Sequence, residues 1–152
     1  MGEKNKQAIS RSPLFYVGDK YKLMSQLNEL FPTKINNYYD VFCGGGSASI
    51  NVEANAYFMN DVNHNVIQLH RHLQEKSFQI EDFIKKMHGL IKEYGLSISE
   101  IGIDNELEEL KKKHAKTYFS KYNKLPYLKL REDFNNNQEE TDLLYLLLIS
   151  SS

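Results

Sequence analysis

Tyr39-Asp40-Val41-Phe42-Cys43-Gly44-Gly45-Gly46-Ser47 is the stretch whose reading decides the fold. An apolar run ends in three consecutive glycines, then a serine, then small and apolar residues at helical spacing. That pattern predicts a strand, a tight turn and a helix start. Glycine backbone takes positive φ freely and lets a ligand come close. Ser47 is placed to cap the new helix, whose free N–H groups favour an electron-rich ligand. By itself the stretch is a generic turn, because strand–glycine–helix turns hold many nucleotide-like ligands and some hold none.

Upstream, Leu14-Phe15-Tyr16-Val17-Gly18-Asp19-Lys20 is an apolar segment broken by a glycine. Lys20 opens a helical pattern with Leu23, Leu27 and Leu30 on one face and Met24 and Phe31 beside them. Pro32 ends that helix. Asn37 to Cys43 reads as a buried strand, and the helix after Ser47 is short, carrying Ile50 and Val52. A second strand, Ala56 to Asn60, ends at Asp61. Asp61 is placed to cap a helix with Val62, Val66, Leu69 and Leu73 on one face. The result is a strand–helix–strand–helix unit with a parallel pair joined by a right-handed crossover.

After Gln74 the pattern is helical throughout. Phe78, Ile80, Phe83, Ile84, Met87, Leu90 and Ile91 make an amphipathic helix, and Gly95 to Ile103 reads as a loop. Another helix starts at Asp104 or Asn105 and runs through Leu107 and Leu110 to Tyr118 and Phe119. Pro126 is expected to interrupt, Asn135-Asn136-Asn137 to turn, and Thr141 to Ile149 to be apolar. The fold class is therefore α/β, with residues 1–75 forming the ligand-binding part and 76–149 an appended helical segment. Two strands cannot cover the faces of a doubly wound sheet. The chain is thus expected to be a fragment, or to complete its sheet with a second chain, and to be marginally stable by itself.

Composition removes several classes. The 152 residues suit one domain or one and a half. The net charge of −1 announces no global basic field. No apolar run approaches the roughly 20 residues of a membrane span, and Met1 to Gln7 lack the apolar core of a signal peptide. Cys43 is the single cysteine, which fits a reducing, cytoplasmic setting and a buried, inert thiol. His64, His70 and His72 do not share one helical face, which argues against a metal site.

The ligand follows from the loop and from Asp61, 15 residues after Gly46. An acidic residue at the end of the second strand accepts hydrogen bonds from ribose hydroxyls in dinucleotide-type folds. The loop is neither G-x-G-x-x-G nor a P-loop, which disfavours pyrophosphate and leaves an NAD-binding fragment a weak alternative. A nucleoside without phosphate fits better, and S-adenosylmethionine is such a ligand, its carboxylate suiting a cation such as Lys20.

Three segments in order resemble the Dam-type DNA adenine-N6 methyltransferases. Leu14 to Tyr21 is similar to that family's aromatic-x-Gly-x-Lys motif, Asp40 to Ser47 to its Phe-x-Gly-x-Gly-Ser loop, and Asn60-Asp61-Val62-Asn63 to its acidic strand-end motif. Leu130-Arg131-Glu132-Asp133-Phe134-Asn135 resembles a fourth stretch that precedes an apolar helix. The resemblance implies an incomplete Rossmann-like methyltransferase fold. It also implies a cofactor site in which Tyr16 lines the pocket and Lys20 holds the methionine carboxylate or a nearby backbone element. Gly44 and Gly46 would admit the cofactor, Phe42 pack beneath it and Asp61 bind its ribose. Without the motifs, Lys20 is an ordinary solvated lysine and Tyr16 a core residue; the alternative role for Asp61 is a helix cap, which it can fill as well as binding ribose.

The family's Asp-Pro-Pro-Tyr motif, which binds the adenine amine and stacks on the flipped base, is absent from these residues; Pro126-Tyr127 follows Lys124-Leu125 instead. The chain by itself is therefore expected to be inactive. From Lys111 to Arg131 there are eight basic residues and no acidic one, with Tyr118, Phe119, Tyr122 and Tyr127 interleaved. Lys116, Lys121, Lys124 and Arg131 are candidates for the phosphates of duplex DNA. The alternative is a solvated face balancing Glu100, Asp104, Glu106, Glu108 and Glu109. The helical segment sits where the family carries its target-recognition region. Two functions result: the cofactor-binding portion of an adenine-specific methyltransferase of a restriction–modification system, or a non-catalytic remnant or docking half of a split one.

Overall fold

The computed structural model describes residues 8–14, 16–97, 105–114 and 117–150. Packing divides the chain after Gln68, within a helix. Each part is described by itself.

In the first part, β1 (Asn37–Asp40) and β2 (Ala56–Met59) pair in parallel, with Tyr38 opposite Tyr57 and Tyr39 opposite Phe58. The α/β expectation is met by this two-stranded parallel sheet and the helices around it. β1 is shorter than expected, since Val41 and Phe42 already lie in a turn. It is also not a buried strand: only Asp40 is fully buried. Side chains alternate across a strand, so one covered face buries every second residue. Tyr38 faces the core, its ring edge-on to Phe31 at 5.8 Å. Tyr39 and Phe58 stack at 4.7 Å on the exposed face.

A single 3-10 turn, Tyr21–Leu23, leads into helix α1 (Met24–Leu30). Phe31 is extended, as the residue before a proline must be. The buried face differs from the expected one. Met24 is 0% exposed and Leu27 half-buried, whereas Leu23 and Leu30 face solvent. The 3-10 turn has three residues per turn, so it shifts the phase that an unbroken α-helix would keep. Met24, Ala48 and Val52 form the core of this part, with Ile9, Ile35 and Tyr38 against them.

The predicted helix after Ser47 is only a 3-10 turn, Ser49–Asn51. Its cap position is Ala48, so Ser47 stands one residue too early. The Ser47 hydroxyl is buried without a hydrogen-bond partner. Asp61 is likewise not the cap of helix α2 (His64–Lys76). The carbonyl of Asn63 accepts the first helical bonds, and its side chain accepts from Asn65 N–H at 3.1 Å. Val62 precedes the helix and is exposed, while Val66 and Leu69 are buried.

In the second part, α3 (Ile80–Tyr94) buries Phe83, Met87 and Ile91 at four-residue spacing and leaves Ile80 and Ile84 exposed, while Phe78 is exposed in the 3-10 turn before it (Ser77–Gln79). Gly95 ends it at φ 71°, and Leu96 N–H reaches back to Ile91 O at 2.9 Å, the 6→1 bond of a Schellman cap. Residues 98–103 of the expected loop lie outside the described residues. Where one helix was expected from Asn105 to Phe119, two form: α4 (Asn105–Lys113) and α5 (Tyr118–Tyr122). Thr117 N–H turns back onto His114 O between them.

Pro126 does not interrupt the chain. It lies in the first turn of α6 (Lys124–Asn136), where no N–H is needed for the helix ladder. Leu128 to Asn136 are therefore continuous helix. Asn123, just before α6, spends its side chain on Ser97, accepting from its N–H at 2.8 Å and donating to its carbonyl at 2.9 Å. Finally α7 (Thr141–Ser150) packs Leu146 and Leu147 with Ile91, Leu96, Leu130 and Phe134. Among the described residues no helix is long and apolar enough to cross a membrane.

Candidate functional site

The glycine turn carries the polar network of the first part. Because β1 and β2 run parallel and side by side, their C-terminal ends emerge together. The loop after β1 and the acid after β2 therefore meet. Gly44 N–H donates to Asp61 Oδ2 at 2.9 Å, and Asn63 N–H donates to Asp61 Oδ1 at 3.0 Å. Cys43 N–H also bonds to Asn60 O at 2.9 Å, which continues the sheet pairing into the turn.

Lys20 closes the loop from the other side. Its Nζ donates to Phe42 O at 2.6 Å and lies 3.8 Å from Asp40 Oδ1. Asp40 is buried and also accepts from Ser49 Oγ at 2.9 Å. Tyr16 lies against Gly44, where an added Cβ would meet Tyr16 Cδ1 at 3.0 Å. The Tyr16 hydroxyl accepts from Asn63 Nδ2 at 3.1 Å. Thus Tyr16, Lys20, Gly44 and Asp61 are brought together, and Asn63 joins them. Gly46, at φ 81°, closes the turn through Gly46 N–H to Cys43 O at 2.7 Å. Phe42 is 73% exposed, and its carbonyl rather than its ring is what Lys20 grips.

Gly45 is a further constrained position that no motif singles out. A Cβ there would stand 2.6 Å from Leu14 O and 3.2 Å from Tyr16 Cβ. Ser12 Oγ donates to the Gly45 carbonyl and accepts from Leu14 N–H at 3.0 Å. The run of three glycines was the available signal, but only the places of Ser12, Leu14 and Tyr16 against the loop say why the middle one is needed.

Cys43 is buried beside this network. Burial, then the charges of Asp40 and Asp61, push its thiol up to about 11, against a smaller opposing effect of Lys20. The thiolate is the reactive form. At pH 8 the folded chain is therefore expected to react with iodoacetamide about a hundredfold more slowly at Cys43 than the urea-unfolded chain. Equal rates, read by mass spectrometry, would contradict this environment.

The basic candidates lie in the second part. Lys116 is outside the described residues. On α5, Lys121 Nζ lies 3.1 Å from His114 Nε2. Lys124 and Arg131 are exposed seven residues apart on α6, one face of a helix. Arg131 borders a depression with Leu128, Glu132, Asn135 and Asn136. Lys129 instead covers the Tyr94 ring at 5.5 Å, and Lys111 the Tyr118 ring at 5.8 Å. His72 pairs with Asp142, not with another histidine.

Comparison with known proteins bears on this geometry. The chain is 33% identical over 136 residues to modification methylase StsI of Streptococcus sanguinis, covering 90% of this chain and 17% of that protein. It is 38% identical over 99 residues to the type II methyltransferase M.FokI of Planomicrobium okeanokoites, covering 65% of this chain and 15% of that protein. The chain thus spans less than a fifth of either relative. The family model of the D12 class N6 adenine-specific DNA methyltransferases matches residues 16–150, from the Tyr16 that leans on Gly44 to the end of α7. The chain belongs to the D12 class of N6 adenine-specific DNA methyltransferases.

Proposed function

We propose that this chain supplies the methyl-donor site of a DNA methyltransferase that transfers a methyl group from S-adenosylmethionine to adenine N6 in duplex DNA. The observation that carries the reading is the bond between Gly44 N–H and Asp61, which joins the glycine loop of one strand to the acidic end of its parallel neighbour. That pairing suits a nucleoside: an acid at the end of the second strand accepts from ribose hydroxyls in dinucleotide-type folds, and Phe42 of the loop and Val62, next in sequence to Asp61, are exposed apolar side chains that a base can cover. In this role Tyr16, Phe42, Gly44, Gly46 and Asp61 border the cofactor. Lys20 holds the loop through Phe42 O and brings a positive charge for a carboxylate. When bound, the cofactor supplies an electrophilic methyl group on a sulfonium.

On this reading residues 1–75 form the cofactor-binding part of a Rossmann-like methyltransferase domain, and 76–149 a target-recognition-like segment. Lys116, Lys121, Lys124 and Arg131 then meet DNA phosphates. The exposed Tyr39–Phe58 stack is the face left for the rest of the fold, carried by further polypeptide or a second chain. These residues contain no Asp-Pro-Pro-Tyr stretch, so methyl transfer by them alone is not expected.

Calorimetry tests the donor site. The chain is expected to bind S-adenosylhomocysteine and not NAD, and Asp61→Ala to weaken binding at least about tenfold by losing a charge-assisted acceptor. Binding of NAD in preference, or an Asp61→Ala variant that binds as the parent does, would remove the reading.

A further inference from the structure

We propose that Asn63 is a positioning residue of the methyl-donor site, acting through Tyr16 on the glycine loop; this rests on the reading of that loop as the donor site. Asn63 uses each of its polar groups. Its N–H donates to Asp61 Oδ1 at 3.0 Å, its Oδ1 accepts from Asn65 N–H at 3.1 Å, and its Nδ2 donates to the Tyr16 hydroxyl at 3.1 Å. The second bond caps α2, and the first fixes the residue beside Asp61. The third reaches 47 residues back along the chain. A helix start needs only the side-chain bond to Asn65, and a serine or aspartate would serve it as well as asparagine. Nδ2 is the part of the side chain that a cap does not require.

Tyr16 explains what that extra group does. Its ring lies against Gly44 closely enough that an added Cβ would meet Cδ1 at 3.0 Å. Its Cβ lies beside Gly45, where an added Cβ would stand 3.2 Å away. The tyrosine is a half-buried strut along the loop, and among the described residues its hydroxyl is anchored by Asn63 at the far end. Asn63 therefore holds both sides of Gly44: the ring through the Tyr16 hydroxyl, and the amide through the Asp61 carboxylate that Asn63 N–H also steadies.

The test uses Asn63→Ser, which keeps a helix cap but is too short to reach the tyrosine hydroxyl, together with Tyr16→Phe and the double variant. Amide hydrogen exchange of the peptide covering residues 42–47 is read in the ligand-free chain, and S-adenosylhomocysteine affinity by calorimetry. Each single substitution is expected to speed exchange and weaken binding about 3- to 10-fold, the worth of one neutral hydrogen bond. The double variant should be no worse than the weaker single one, because both remove the same bond. The thermal midpoint of Asn63→Ser should stay near that of the parent, which separates positioning from a loss of the fold. Unchanged exchange in both single variants, or losses that multiply in the double, would overturn the role of Asn63. If the parent chain takes no S-adenosylhomocysteine, the donor-site reading falls, and the exchange rates still decide whether Asn63 holds the loop.

Discussion

Asp142→Ala is expected to lower the stability of the helical part by about 2–3 kcal/mol, the scale of a lost pair of charge-assisted hydrogen bonds after discounting the exposed partner. Asp142 lies in the first turn of α7 and is 5% exposed. It accepts from Lys86 Nζ and pairs with His72 Nε2 at 2.6 Å. Lys86 is largely solvated and can return to water at small cost, whereas His72 is mostly buried, edge-on to Phe83 at 5.7 Å. Most of the loss therefore comes from the His72 side. Asp142→Asn keeps one acceptor and should cost less, and Lys86→Met should cost under about 1 kcal/mol. Urea melts followed by helical circular dichroism give the ranking. An Asp142→Ala variant within about 0.5 kcal/mol of the parent would show that the cluster contributes nothing, since that is the scatter of ordinary surface changes.

The same carboxylate sets an acid limit. Burial by itself would push Asp142 up, but the hydrogen bonds from Lys86 and His72, and their charges, outweigh it and hold the carboxyl below its ordinary value of 3.8. A group depressed in the folded state stabilises above its unfolded value and loses that contribution as pH falls through the folded one. Stability should thus be level from neutrality to about pH 4 in this respect and decline below it. The decline should be shallower in Asp142→Asn. Lys86, raised chiefly by its bond to Asp142, contributes in the opposite sense: present below its ordinary 10.5 and lost as pH rises through the raised value.

Gly45→Ala is expected to have the largest effect at the candidate site. Its Cβ would come within 2.6 Å of the Leu14 carbonyl, a backbone atom that cannot rotate away. Either the loop or Leu14 and Tyr16 must move. Overpacking of this kind costs about 1–3 kcal/mol. Both ways of relieving it move a part of the Tyr16–Gly44 contact, so S-adenosylhomocysteine affinity should fall more than about tenfold with it. Gly89→Ala is the opposite control. Gly89 lies within α3 with nothing near its missing Cβ, so alanine there should stabilise by up to about 1 kcal/mol. Thermal melts and calorimetry of the two variants compare them directly. If Gly45→Ala melts and binds as the parent does, the crossing of Leu14 over the loop is not as described.

Much of the fold was legible because it is written in local pattern. The strand that runs into Gly44-Gly45-Gly46, the acid after the next strand and the parallel pairing all follow from short stretches and a single crossover. So do the buried Phe83, Met87 and Ile91 of α3, whose four-residue spacing needs no knowledge of what they pack against. Misreadings arose where one local rule met another. The 3-10 turn at Tyr21–Leu23 moved the buried face of α1 onto Met24, and Pro126 proved compatible with a helix because it falls in the first turn. Lys20 was expected to hold a cofactor carboxylate or a nearby backbone element, and in the fold it grips a backbone element, the Phe42 carbonyl.

By itself, then, the sequence determined that a glycine turn and an acidic strand end belong to one α/β unit, and that helices follow it. Tertiary structure alone decided which groups meet. Gly45 is constrained by Leu14, Tyr16 is held by Asn63, and Asp142 is paired across 70 residues with His72. The physical reason is that periodicity and turn chemistry act over a few residues, whereas steric fit and hydrogen bonding act over a few ångströms, between groups that only the folded chain brings together.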